Sequence, residues 1–177
     1  MINTITAIFQ VFFSICLLRY KPQDLPQSYE LLILCLVVYT AINFVLALSA
    51  ATVPMAMSVS VLETFLVCVI TLVILKFGRR IERWVKTLTA ISGTGSVIGI
   101  IAIPLFFLIF VTGIEGLLQA VVLMFYMMLV VWNVVIMGHI LRHSLDTTLG
   151  IGIIFAIIYI ILTSLVMNYL VPVLENP

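Results

Sequence analysis

Glu63 is the one acidic or basic side chain that falls well inside an apolar run of this chain. It stands about seven residues from the near end of its run, which puts it about 10 Å into hydrocarbon at 1.5 Å per residue. A carboxylate at that depth is costly unless it is paired, protonated or hydrated. Two chemistries fit such a group. It can hold a proton or a cation, or it can be a neutral acid that ties helices together through Asn or Ser side chains. Ser60 lies one helical turn before it, and Val67 and Thr71 follow on the same side. Asn43 of the preceding run falls at similar depth, with Tyr39, Thr40 and Ala47 near its face. Asn168 and Ser164 occupy the same half of the last run. The expectation is an intramembrane polar cluster of Glu63, Asn43, Ser60 and Asn168, with a Glu63–Asn43 hydrogen bond.

Other chemistry-bearing groups are fewer. His139 and His143 have the i, i+4 spacing that brings two imidazoles to one ion on a helix. Asp146 is the sole nearby third ligand and no HExxH pattern exists, so no metal site is expected. The segment is read instead as a short polar connection that Arg142 anchors at the headgroups. The run Ile91-Ser-Gly-Thr-Gly-Ser-Val-Ile-Gly99 is glycine-rich. A phosphate-binding loop would need a preceding strand and a GKS or GKT element, and neither is present. Gly95 and Gly99 make a GxxxG pair, and Ser92 and Ser96 a second small-residue pair, which let another helix backbone approach closely. Pro104 stands near mid-run, where a kink is expected. No Ser–His–Asp or Cys–His set falls at one depth, so no catalytic residue, enzyme activity or cofactor is expected. Cys16, Cys35 and Cys68 do not read as a disulfide framework. Cys35 and Cys68 act as small apolar fillers, and Cys16 is a candidate for acylation.

The elements that must position these groups are membrane spans. Of 177 residues, 64% are hydrophobic and 8% charged, against about 25% charged in a soluble domain. So few charges cannot cover a water-exposed surface, so lipid must. A net charge of +1 does not suit nucleic acid. Five runs are long enough to span, at about residues 28–48, 56–77, 88–111, 117–138 and 149–170. The fold class is therefore all-α: a polytopic membrane helix bundle of five transmembrane helices plus an N-terminal amphipathic helix. No internal repeat is visible, and an odd number of spans does not divide into two inverted halves.

Residues 1–27 form an N-terminal segment ahead of the transmembrane domain of residues 28–177. Asn3, Thr6, Gln10 and Ser14 fall on one helical face, with Ile5, Ile8, Phe9, Phe12 and Cys16 opposite. That pattern favours a helix lying in the membrane interface over a sixth span. No basic residue precedes the apolar stretch and no small-residue cleavage site follows, which argues against a signal peptide. Pro22 and Pro26 break the helix before the first span, and Ser28 or Gln27 starts that span with Glu30 in its first turn.

Every basic residue falls on one side of this layout: Arg19, Lys21, Lys76, Arg79, Arg80, Arg83, Lys86 and Arg142. A cationic segment resists crossing the bilayer, so this side is expected in the cytoplasm, with the C-terminus outside. Short loops suggest a bacterial inner membrane. Arg79, Arg80, Arg83 and Lys86 are read as a basic face, on a short interfacial helix with Trp84 at headgroup level, that meets anionic lipid or an acidic partner.

A cytoplasmic N-terminal segment, five spans and an outside C-terminus resemble the layout of Yip1-like membrane proteins. The Pro22-Gln-Asp-Leu-Pro26 element is similar to the proline-containing entry of some bacterial members, while a DLYGP-like stretch is absent. The resemblance implies a non-enzymatic protein of membrane organisation. The reading favoured by sequence is a small integral membrane scaffold or assembly subunit. Its partners would be lipids and a membrane protein or a second copy of the chain. The competing reading is a small transporter or channel using Glu63, Asn43 and a cavity opened at Pro104.

Overall fold

Ser28 begins the first long helix: its Oγ accepts from the Leu31 amide at 3.3 Å, and Glu30 lies in the first turn. The fold is described from a computed structural model covering residues 10–49, 51–110 and 115–175. Helix α1 covers residues 10–16. It is followed by α2 (Tyr29–Ala47), α3 (Val53–Phe77), α4 (Trp84–Phe110), α5 (Leu117–Leu145) and α6 (Leu149–Glu175). Pro22–Asp24 and Ile81–Arg83 form single 3-10 turns. Helices α2 to α6, with the 3-10 turn that leads into α4, supply five segments long and apolar enough to cross a membrane.

Three boundaries differ from the apolar runs. Helix α3 starts at Val53, because Pro54 sits in its first turn, where a missing N–H leaves nothing unpaired. Helix α4 starts at Trp84, straight after a 3-10 turn, so the expected basic interfacial helix is absent. Helix α5 runs on to Leu145, so His139 and His143 lie on its last turns and not in a loop. It ends at Asp146 in the left-handed conformation, where the Thr147 amide donates back to the Arg142 carbonyl at 2.9 Å.

The five long helices close into a ring in the order α2, α3, α6, α5, α4, with α4 back against α2. Helix α4 is the most buried of them. Its small-residue face is what permits this. A Cβ on Gly95 would stand 2.8 Å from Cε2 of Tyr39, and one on Gly99 would stand 2.6 Å from Cγ2 of Ile42. The GxxxG pair is thus spent on α2, inside the chain. Ser92 and Ser96 are buried beside it and return their hydroxyls to the carbonyls of Leu88 and Ser92, each at 2.8 Å. Pro104 lies within α4, two residues past the cavity-lining Ala102 described below.

Helices α5 and α6 cross at Gly138 and Gly152, a contact that sequence reading passed over. A Cβ on Gly152 would meet the Gly138 carbonyl oxygen at 2.2 Å.

Within α1, Phe12, Ile15 and Cys16 are buried, while Gln10 and Phe13 are exposed, so the outer side is not purely polar. The surface its apolar face covers is protein. A Cβ on Gly93 of α4 would collide with the Phe12 ring, and Trp132 Nε1 of α5 donates to the Cys16 carbonyl at 3.1 Å. Trp132 is thirteen residues before the end of α5, so α1 reaches alongside the spans, about 20 Å from that end at 1.5 Å per residue. Buried Cys16, at 4% exposure, presents no thiol for acylation. Asn3, Thr6, Ile5, Ile8 and Phe9 lie outside the described residues.

Candidate functional site

All five long helices line a cavity of about 260 Å³, two of whose lining residues, Val130 and Asn133, are exposed. Helix α2 presents Tyr39, Asn43 and Leu46 at helical spacing, and α4 presents the face from Ile91 to Ala102 that carries Gly95 and Gly99. Helix α5 contributes a stripe from Tyr126 through Asn133 to Ile140. Helices α3 and α6 each send in one lining residue, Glu63 and Tyr159. The missing side chains at Gly95 and Gly99 bring α2 close and leave the wall of α4 smooth.

Glu63 stands ten residues into α3, about 15 Å from its start at 1.5 Å per residue. Because α3 starts earlier than the apolar run, Glu63 is farther from its helix start than the sequence suggested. Its carboxyl is set against the Tyr39 side chain, and Tyr159 is close enough to feel its charge. Beside it, Thr64 and Thr40 share a 2.7 Å hydroxyl contact that joins α3 to α2. Both hydroxyls also return to their own helices, at the Ser60 and Leu36 carbonyls.

The expected polar cluster is rearranged. Asn43 shares the cavity with Glu63, but Tyr39 is the side chain that meets them both. Asn43 Nδ2 is buried with no hydrogen-bond partner, so the expected Glu63–Asn43 bond does not form through it. Ser60 is fully buried and donates to the Met57 carbonyl at 3.0 Å, within its own helix. Asn168 is exposed and does not line the cavity, because its turn of α6 faces away from the ring interior. In their place stand Tyr126, Asn133 and Tyr159, which sequence reading missed. Asn133 had a usable signal: an amide within an apolar run, in helical register with Tyr126 and Met137.

No Lys, Arg or His is among the described residues lining the cavity. The wall offers one carboxyl, two amides and three phenol rings. Such a set attracts positive charge and can donate to or accept from a small polar solute.

The basic residues gather at the other functional candidate, the end of the bundle where α3 meets α4. Most of them bind within the chain. Arg80 and Arg83 both pair with Asp146, at 2.9 and 2.8 Å. Arg83 also donates to the carbonyls of His143 and Ser144 at 3.1 and 3.2 Å. Lys86 donates to the Gln23 carbonyl at 2.9 Å, and the Gln23 amide donates to the His143 carbonyl. The segment from Pro22 to Pro26 is therefore docked on α4 and α5, with Pro22 and Leu25 buried. Arg79 and Lys76 stay exposed. Trp84 is turned onto α3, donating to the Cys68 carbonyl at 3.4 Å. The hydrogen bond from Arg83 holds Asp146 below the usual carboxylate range, with the charges of Arg83 and Arg80 adding to it.

His139 and His143 meet edge-on with ring centroids 4.7 Å apart. His139 Nε2 faces the Tyr20 carbonyl at 3.1 Å, and His143 Nε2 accepts from Arg142 Nε at 3.2 Å. Asp146 points to the arginines. No group of three metal-ligating side chains occurs among the described residues.

Five apolar spans closed around a polar cavity define an integral membrane helix bundle. No family model, curated protein or solved structure matches the chain.

Proposed function

We propose that this chain is a small membrane transporter or channel that takes a proton or a cationic solute at Glu63. The observation that carries the reading is the shared cavity: five helices converge on one lone carboxyl near mid-span, with Asn43 Nδ2 unpartnered beside it. Glu63 rests against Tyr39 of α2 and also borders the open volume of the cavity, where a solute or a proton can reach it. In this reading the basic end lies in the cytoplasm of a bacterial inner membrane, by the positive-inside rule.

The competing proposal, a scaffold of Yip1-like layout, draws on small-residue faces and a basic face. Gly95 and Gly99 are occupied by α2, while Arg80, Arg83 and Lys86 are tied within the chain. That leaves less free surface for a partner than the sequence promised.

The test is flux. Purified protein is placed in liposomes loaded with a pH-sensitive dye and given gradients of inorganic cations, amines and neutral solutes. At least one gradient should move protons or labelled solute in the wild type and fail in Glu63→Gln. No difference between the two proteins across the whole panel overturns the reading.

A further inference from the structure

We infer that the solute of this cavity is a small organic ammonium ion, bound in exchange for the proton of Glu63. The inference rests on the transport reading and narrows it to a substrate class.

Three features of the wall choose this class. The first is charge: Glu63 is present and no cationic side chain lines the cavity among the described residues. Anions are disfavoured beside a carboxyl that no cation in the wall offsets. The second is the aromatic lining. Tyr39, Tyr126 and Tyr159 come from three different helices, and the negative faces of such rings attract alkylammonium groups. The rings are held by packing. Tyr39 lies against Gly95, where a methyl group would be 2.8 Å from its Cε2. Tyr126 is tilted 59° against Phe106 at 6.1 Å between centroids, and Tyr159 is buried. The third is size: about 260 Å³ suits a compact ammonium ion. An inorganic cation draws on oxygen ligands alone, whereas a weakly hydrated quaternary ammonium also uses the aromatic faces that this wall supplies from three helices.

The exchange balances in charge. The neutral acid of Glu63 gives up its proton to water as the cation enters, and the carboxylate with its bound ammonium is again neutral. One proton is released per cation bound.

Choline and its uncharged isostere 3,3-dimethylbutan-1-ol separate the possibilities, measured by calorimetry on the protein in nanodiscs. Repeating the titration in buffers of different ionisation enthalpy counts the protons released. Choline should bind saturably and release about one proton, and the isostere should bind at least tenfold more weakly. Glu63→Gln should weaken choline at least tenfold. Tyr126→Leu should weaken choline several-fold with little effect on the isostere, which keeps the test sharp if Glu63→Gln fails to fold. Equal binding of choline and the isostere, or no choline binding by the wild type, overturns the ammonium assignment. Glu63-dependent flux of an inorganic ion without choline binding would also overturn it while leaving the transport reading standing.

Discussion

Replacing Gly152 by Ala tests the α5–α6 crossing that closes the ring. The new methyl carbon would stand 2.2 Å from the Gly138 carbonyl oxygen, and 3.0 Å from both Cβ and N of Arg142. Carbon contacts relax near 3.5–4.0 Å, so the helices must part by about 1 Å. The obstacles are mainly backbone, which cannot swing aside as a side-chain tip can. Overpacking of this kind costs about 1–3 kcal/mol. Gly150 is the matched control, because a methyl there meets nothing within 4 Å. Both substitutions gain helix propensity, up to about 1 kcal/mol. The gap between the two variants therefore isolates the clash, and Gly152→Ala should be less stable than Gly150→Ala by about 1–3 kcal/mol. Reversible unfolding in mixed micelles, followed by tryptophan fluorescence, measures that gap. Equal stability of the two variants would refute the close crossing at Gly138 and Gly152.

Two further predictions follow from the basic end and from the cavity wall. Asp146, held below the usual carboxylate range chiefly by its hydrogen bond from Arg83, adds stability at neutral pH that disappears as acid protonates it. Asp146→Asn should thus be the less stable protein at neutral pH, and the two stability–pH curves should converge below the usual carboxylate range; curves that stay parallel into acid contradict the clasp. Gly95→Ala should push the Tyr39 ring off its seat and lower choline affinity several-fold, while Gly150→Ala leaves affinity unchanged. Calorimetry on both variants checks this.

The layout of the chain was legible because lipid imposes a simple rule on composition. Spans must be long and apolar, and all five were found in order, with Ser28 and Glu30 opening the first. The GxxxG pair was legible as a place of close approach, since only missing side chains permit one, but its partner α2 was not. Register around a helix cannot be read from depth along it, which is why Asn168 was grouped with Glu63 and turned out to face away. Ser60 was misplaced for a second reason: a serine hydroxyl can satisfy itself on its own helix, as it does at Met57. The basic loop misled through composition. A cluster of cations looks like a docking face until the acid that neutralises it, Asp146 from another connection, is placed beside it. Tyr126 and Tyr159 carried little signal, because tyrosine is ordinary in a span until three of them converge on one volume.

Exchange of a proton for a cation at Glu63 sets how many protons choline binding releases. Calorimetry in buffers of different ionisation enthalpy should count about one proton per choline in the wild type, and at least tenfold weaker binding with no proton release in Glu63→Gln. Choline binding with the same proton count in both proteins would contradict this exchange.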